Sequence, residues 1–302
     1  QYKGGAMFDL NRNMSFFVNA GLVEKAPIMD NVISLDGYVA QNPANERFIS
    51  FEGGANFHFG PIAAKLNYYN TYWKDRNLTK AVTTGQGSSG DTDIIYLTGV
   101  NQKHTGYEVE VSAQLISMLR LDAAISLGNW KFDGDADGTY TEYTDSGPVQ
   151  TQYAYALDGL YVGDMPQTSY MLGATVTPLQ GLRVQALANI YDNNYSDWSP
   201  DSREYDPTDT EVSPDRNQVW KAPGYTKVDL HIYYDLPIQL GNVSLQAFAH
   251  VFNALDAVYI QDARDNSKYN AYTSNGKDHS ADDAEVFFGT PRYMNMGLTV
   301  RF

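Results

Sequence analysis

The chain has 302 residues, of which 43% are hydrophobic and 19% charged. Thirty-six acids against 21 Lys plus Arg leave a net charge of -15, the wrong sign for a partner that must neutralise a phosphate backbone. Zero cysteines exclude a disulfide scaffold, thiolate-held zinc or iron–sulfur, and thiol catalysis. The opening at Gln1 lacks the basic region and apolar run of a signal peptide. Neither charge-free stretch is apolar enough for a membrane helix. Pro166, Gln167, Pro178 and Gln180 interrupt 165–182, and Pro237, Gln239, Asn242, Gln246 and His250 interrupt 236–255. A soluble β protein and a transmembrane β-barrel remain, the latter having a weak hydropathy signal per strand.

In chain order, strands are predicted at 2–10 and 14–22, joined by a tight turn at Asn11-Arg12-Asn13. Strands 48–59 and 61–74 flank Gly60-Pro61 and are rich in glycine and aromatics. In 107–115, Tyr107, Val109, Val111, Ala113 and Leu115 oppose Glu108, Glu110, Ser112 and Gln114. Past a turn at Ser117-Met118, Leu119, Leu121, Ala123, Ile125 and Leu127 oppose Arg120, Asp122, Ala124 and Ser126. Strand 167–177 turns at Pro178–Gly181 into 182–191, where Leu182, Val184, Ala186, Ala188 and Ile190 form one face. Thr226, Val228, Leu230, Ile232 and Tyr234 alternate with Tyr225, Lys227, Asp229, His231 and Tyr233. A turn across Pro237–Asn242 leads to Val243, Leu245, Ala247, Ala249 and Val251. The closing strand, within 290–302, sets Met294, Met296, Leu298, Val300 and Phe302 against Tyr293, Asn295, Gly297, Thr299 and Arg301. The alternating sets in 107–115, 119–127, 182–191, 225–234, 243–251 and the closing strand follow the period of two expected of strands.

This gives about eleven strands of about 9–14 residues, longer than the ~5–6 of soluble sheets and suited to tilted membrane crossing. Long polar connections fall near 23–47, 75–104, 133–165, 196–222 and 254–289, alternating with tight turns. Short turns therefore share one end and long loops the other, as in transmembrane barrels. A charge on the lipid face costs about 2–4 kcal/mol at the midplane. Glu108, Glu110, Arg120, Asp122, Arg183, Lys227, Asp229 and Arg301 all fall on the other face, which would line a wet interior. The fold class expected is an all-β antiparallel transmembrane barrel segment, residues 1–302, without an internal domain boundary. A soluble sandwich or solenoid is the competing fold.

Several segments then resemble a known family. They are Phe17-Val18-Asn19-Ala20-Gly21 with Lys25-Ala26-Pro27-Ile28, Lys65 through Asp75, and Gln102 through Glu110. Ala249-His250-Val251-Phe252-Asn253-Ala254-Leu255 and Thr290-Pro291-Arg292-Tyr293 into Val300-Arg301-Phe302 complete the set. In order and over the whole chain they resemble the C-terminal half of the barrel of a TonB-dependent outer-membrane receptor, of the type common in Bacteroidota. The resemblance implies part of a 22-stranded barrel, completed by an N-terminal barrel half and plug domain that are not in this sequence. It implies import of a scarce nutrient (siderophore, haem, cobalamin, oligosaccharide or peptide) with TonB-supplied energy, and no enzyme activity or cofactor. Implied partners are the TonB complex, the barrel insertion machinery, outer-membrane lipid and lipopolysaccharide, and a surface lipoprotein; nucleic acid is not among them. The implied location is the outer membrane of a Gram-negative bacterium with a periplasmic C-terminus. Phe302 would be the assembly signal. A passive porin or adhesin barrel is the alternative, and a soluble carbohydrate-binding β protein a more distant one.

Candidate sites lie in the loops. Trp198, Tyr205 and Trp220, with Tyr259, Tyr269 and Tyr272, are aromatics among polar residues, suited to stacking on a sugar or ring-bearing ligand. Tyr191 and Tyr195 accompany them, and Tyr68, Tyr72 and Trp73 suit an interfacial belt instead. Asp133, Asp135 and Asp137 echo the start of a calcium loop, but position twelve is Thr144 rather than Glu. A hydrated acidic loop is the other reading. Acids Asp197, Asp201, Glu204, Asp206, Asp209, Glu211 and Asp215 crowd 196–222, fitting either cation contact or solubility. The histidines, His58, His104, His231, His250 and His279, have no close metal-ligand spacing, which leaves only a site distributed across strands. Glu108 and Glu110 read as interior wall, and no Ser-His-acid order stands out.

Overall fold

A computed structural model describes residues 1–29, 32–33, 44–84, 91–144, 147–211, 213–267 and 278–302. In chain order the elements begin β1 (Tyr2–Asn11), β2 (Met14–Lys25), β3 (Glu46–Phe59), β4 (Ile62–Thr84), β5 (Asp91–Ile116) and β6 (Leu119–Phe132). There follow β7 (Ala136–Thr144), β8 (Gly147–Tyr155), β9 (Thr168–Leu179), β10 (Leu182–Asp192), β11 (Asn194–Tyr195), the one-turn helix α1 (Pro200–Arg203), β12 (Glu204–Tyr205) and β13 (Lys221–Ala222). The last are β14 (Tyr225–Leu240), β15 (Val243–Phe252), β16 (Ile260–Asp265), a 3-10 turn at Ala281–Asp283, β17 (Ala284–Phe288) and β18 (Tyr293–Arg301).

Eleven of these form one curved antiparallel wall in the order β1-β2-β3-β4-β5-β6-β9-β10-β14-β15-β18. These are the eleven strands expected from the alternation. The wall is a single layer, so each face of a strand meets a different environment. Phe51, Leu66, Leu121, Leu172, Ile232 and Leu298 are exposed on one face. Their neighbours Asn67, Glu108, Arg120 and Asp122 are on the other, where Asn67 donates to Glu108 at 3.1 Å and Arg120 pairs with Asp122 at 2.8 Å. An exposed apolar band of this extent suits lipid, not water. No helix among the described residues is long and apolar enough to cross a membrane.

The pairing runs unbroken from Arg47↔Lys74 to Phe59↔Ile62 between β3 and β4. Gly106 is needed for side-chain packing on the inner face. A Cβ there would collide with the Tyr69 ring, which crosses the strand to accept a hydrogen bond from Trp130 Nε1 at 2.9 Å.

Two expectations change. The connection placed near 75–104 is mostly strand, because β4 and β5 continue as a hairpin beyond the wall. Irregularities between Trp73/Arg76 and Arg76/Leu78 mark the transition. Asp75 sits there at φ 57° and holds Arg47 at 2.6 Å. The stretch below it, Ile62–Trp73, rises about 40 Å at about 3.3 Å per residue, and a ~45° tilt brings that close to the ~30 Å of a hydrocarbon core. The turn placed across Pro237–Asn242 shrinks to Gly241-Asn242, and the preceding residues bulge between Asp235 and Gln239. Proline lacks the N–H that a continuous ladder needs, and a bulge accommodates it.

The buried hydrophobic core lies outside the wall. Ile95, Leu97, Val100, Phe132, Ala136, Tyr155, Leu157, Leu160, Trp198 and Val219 form it, all drawn from the long-loop end. A one-layer sheet has no second layer to bury against, whereas these loops fold on one another into a cap.

Candidate functional site

The cap is built by strand addition. β7 pairs with upper β5 through Tyr96↔Thr139 and Leu97↔Gly138, β8 pairs with β7, and β12 adds to β8 through Glu204↔Tyr155. Loop 133–165 is therefore a hairpin-bearing element rather than a plain polar connection. The ring of Trp198 fills the centre, edge-on to Phe132 and tilted against Tyr155 at 5.9 Å. Lys80 extends its ammonium over that ring at 5.2 Å and pairs with Asp197. Backbone bonds Asp197 N–H to Ala263 O (2.8 Å) and Asp265 N–H to Asp197 O (2.7 Å) tie this loop to β16.

A charged knot closes the junction. His279 is buried and lies 2.9 Å from Asp265 through Nδ1 and 3.0 Å from Asp215 through Nε2. Both carboxylates accept only, so a ring that satisfies both must donate from both nitrogens and carry a positive charge. Burial works against that charge, but the hydrogen bond and charge of Asp265 outweigh it and hold the imidazole pKa above its ordinary value. Asp265 is itself buried, which opposes ionisation, yet His279 and Ser202 keep its carboxyl down at about 2. Arg203 stands alongside, fully buried, donating from Nη1 to the carbonyls of Asn217 (2.7 Å) and Asp215 (3.2 Å).

The candidate aromatics divide. Trp198 is only 2% exposed and Tyr259 only 7%, so the expectation of accessible rings is corrected for both. Trp198 is core. Tyr259 stacks on Tyr225 at 4.4 Å and closes over Gly289, where a Cβ would collide with it. Tyr195 stacks on Tyr161 at 4.2 Å, and Tyr191 lies against Tyr225 at 5.0 Å. Tyr205 and Trp220 are half-buried. Tyr269 and Tyr272 lie outside the described residues. Among the belt candidates, Tyr68 and Tyr72 share one face, but Trp73 falls on the other. There it donates to Glu46 at 3.2 Å beneath Arg76.

The three aspartates do not converge. Asp135 takes a two-pronged bond from Arg216 (2.7 and 2.8 Å), the Tyr205 hydroxyl (2.8 Å), and the N–H groups of Leu157 and Asp158 (3.0 Å each). Arg216 above all holds its carboxyl far below the usual range. Asp133 and Asp137 are exposed, and no group of three metal-binding side chains occurs among the described residues. Asp135 is a structural anchor between loops, and this corrects the calcium-loop reading of Asp133, Asp135 and Asp137.

The inner wall forms a second polar surface. A recess of about 670 Å³ at the short-turn end is lined by Asp9, Arg12, Lys65, Glu110, Arg120 and Asp122 among others, a surface of mixed charge. Glu108 and Glu110 are wall residues, as expected. Sequence reasoning missed the His279 knot and the meeting of His231 with His250. The first joins loops 64 residues apart, and the second depends on strand register.

Solved structures share the architecture. The copper transporter OprC aligns with a TM-score of 0.59 at 15% identity, over 98% of this chain and 38% of that one. The ferric enterobactin receptor PfeA from Pseudomonas aeruginosa, as a mutant, gives 0.58 at 13%, over 98% and 39%. The ferripyoverdine receptor of the Pseudomonas aeruginosa outer membrane gives 0.52 at 17%, over 99% and 32%. The chain thus spans roughly a third of the length of these structures, and at such identities the likeness is one of fold. No curated protein matches the chain. The family model described as TonB dependent receptor-like, beta-barrel matches residues 1–254, and with the two-faced eleven-strand wall this places the chain in that family.

Proposed function

We propose that the chain is part of the wall and outer cap of an outer-membrane receptor that imports a scarce nutrient with energy supplied through TonB. The observation that carries this reading is the combination of a lipid-suited outer face, a polar inner face and a folded cap at one end only. Edge strands β1 and β18 end the sheet order. Unpaired strand edges are not tolerated in hydrocarbon, so the wall needs further strands, and an N-terminal barrel half would supply them. A plug domain against the polar inner wall would gate passage. The cap would capture cargo from outside, with the half-buried Tyr205 and Trp220 among its candidate contacts, while the tight turns and C-terminus would face the periplasm. The cargo class stays within siderophore, haem, cobalamin, oligosaccharide or peptide.

These 302 residues hold no cysteine, so in a receptor with any cysteine elsewhere replaced by serine one assay is decisive. Thr210→Cys, exposed in the cap, should react with a membrane-impermeant maleimide on intact cells, and Gln180→Cys in a tight turn only after permeabilisation. The reverse pattern inverts the proposed orientation. Scoring a panel of those cargo classes in the same cells, loss of TonB should abolish saturable uptake without lowering Thr210→Cys labelling. Uptake that survives without TonB favours a passive porin. Phe302 is almost fully exposed beyond β18, as an assembly signal read by the insertion machinery would be. Its deletion should lower labelling but not uptake per labelled molecule; equal labelling would refute that role.

A further inference from the structure

On the inner face of the wall, His231 of β14 lies directly across from His250 of β15. Their Nδ1 atoms are 2.9 Å apart and their rings 4.9 Å apart at 64°. The bulge at Pro237 produces this pairing. Leu240 faces Val243 at the turn, a register that would carry His231 to Phe252 if continued. Beyond the bulge Asp235 faces Gln246 and His231 faces His250. Three residues of β14, Leu236, Pro237 and Ile238, stand where β15 has only Leu245.

Aromatic rings hold the two imidazoles in place. Phe248 stacks on His250 at 5.2 Å, Tyr233 meets His250 edge-on at 5.3 Å, and Phe252 meets His231 at 5.5 Å. Asp229, two residues before His231 on the same face, is engaged by the Asn253 N–H at 2.8 Å. It adds negative charge nearby. Two nitrogens about 2.0–2.1 Å from one ion lie about 2.9 Å apart at a right angle and about 3.3 Å apart at a tetrahedral angle. The observed 2.9 Å is the hydrogen-bonded separation of the metal-free pair, and a small movement brings the two nitrogens to either bite. Imidazole suits Cu²⁺, Ni²⁺ and Zn²⁺, with Cu²⁺ bound most tightly of the three.

From this pairing we infer that His231 and His250 form a two-histidine site for a divalent transition ion, Cu²⁺ foremost, on the inner wall. Without metal, a neutral pair shares one Nδ1–H···Nδ1 hydrogen bond. To bind, the donor ring moves that proton to its own Nε2, leaving both Nδ1 lone pairs for the ion with no net proton loss. The remaining coordination positions face the interior, open to water or to donors on a passing ligand. The site is independent of the import reading and stands if that reading fails.

The test uses the intact receptor in detergent and Cu²⁺ alone, with Ni²⁺ and Zn²⁺ as competitors. One Cu²⁺ should bind per chain with an EPR spectrum carrying hyperfine coupling to two imidazole nitrogens, and neither Ni²⁺ nor Zn²⁺ at equal concentration should displace it. His231→Gln and His250→Gln should each leave at most one coupled imidazole. Affinity should fall by about a hundredfold or more, because losing a ligand costs more than the about 10–100-fold of losing a supporting partner. Heat-modifiable gel migration checks that the variants remain folded barrels. A folded double variant that keeps the parent spectrum and affinity overturns the site, as does a parent with no saturable Cu²⁺ binding.

Discussion

Trp198→Ala should unfold the cap while leaving the wall intact. Removing a buried indole costs about 3–5 kcal/mol, and Trp198 is the largest fully buried side chain of the chain's described residues. Its ring joins residues from β4, β6 and β8, namely Lys80, Phe132 and Tyr155. The cavity would also leave Lys80 with Asp197 but without its aromatic surface. Hydrogen exchange should then accelerate across β7, β8 and β12, with protection of β9 and β10 unchanged. Trp198→Phe should recover most of the loss. Equal loss of protection in cap and wall would mean that the two are one cooperative unit. Unchanged cap protection would mean that the Trp198 contacts are not cohesive.

His279→Asn should weaken the same cap from its other side, with a pH signature that Trp198→Ala lacks. Asparagine tolerates the φ of 48° found at His279, and it is neutral, leaving two buried carboxylates without their cation. Removing one member of a buried charged group costs about 3 kcal/mol or more. The parent's pH dependence follows from the two directions of shift. The imidazole pKa is raised, so its contribution is complete below the ordinary value of about 6.5 and is lost as pH rises through the raised one. The Asp265 pKa is depressed to about 2, so its contribution is complete above the ordinary carboxylate range and is lost as pH falls toward 2. The knot is therefore tightest at mildly acidic pH, between about 5 and 6.5. Amide protection in β16 and β17, corrected for intrinsic exchange, should be flat there and decline on the alkaline side. His279→Asn should abolish that alkaline decline. Protection that rises through neutral pH in the parent would contradict a charged imidazole.

The wall was legible in the sequence because its physics is local. Alternation at Leu119–Leu127 or Met294–Phe302 reports two faces with no knowledge of neighbouring strands, and glycine or proline marks three of the five tight turns. The cap was not legible, because its core is a meeting of distant segments. Leu97, Tyr155, Trp198 and Val219 come from three connections that all read as polar, and none of these residues alone reports a core. The same polarity drew attention to Trp198 and Tyr259 as accessible rings. Once their partners Phe132, Tyr155 and Tyr225 are in place, both are shielded. Asp135 echoed a calcium ligand, but Arg216, 81 residues later, supplies the positive charge instead. His231 and His250 were visible as same-face positions. Whether they met depended on the bulge at Pro237, which no alternation pattern counts.

Separating the buried core from the wall has a mechanical consequence. The wall's seal rests on ladder hydrogen bonds that lipid keeps out of competition with water, while the cap rests on side-chain burial that water can contest. If the two are separable as the Trp198→Ala exchange test expects, opening the cap breaks no strand pair of the wall. Cohesion of cap and wall is then carried by different forces in one chain, so the cap can yield or diverge in sequence without cost to the strand pairing beneath it.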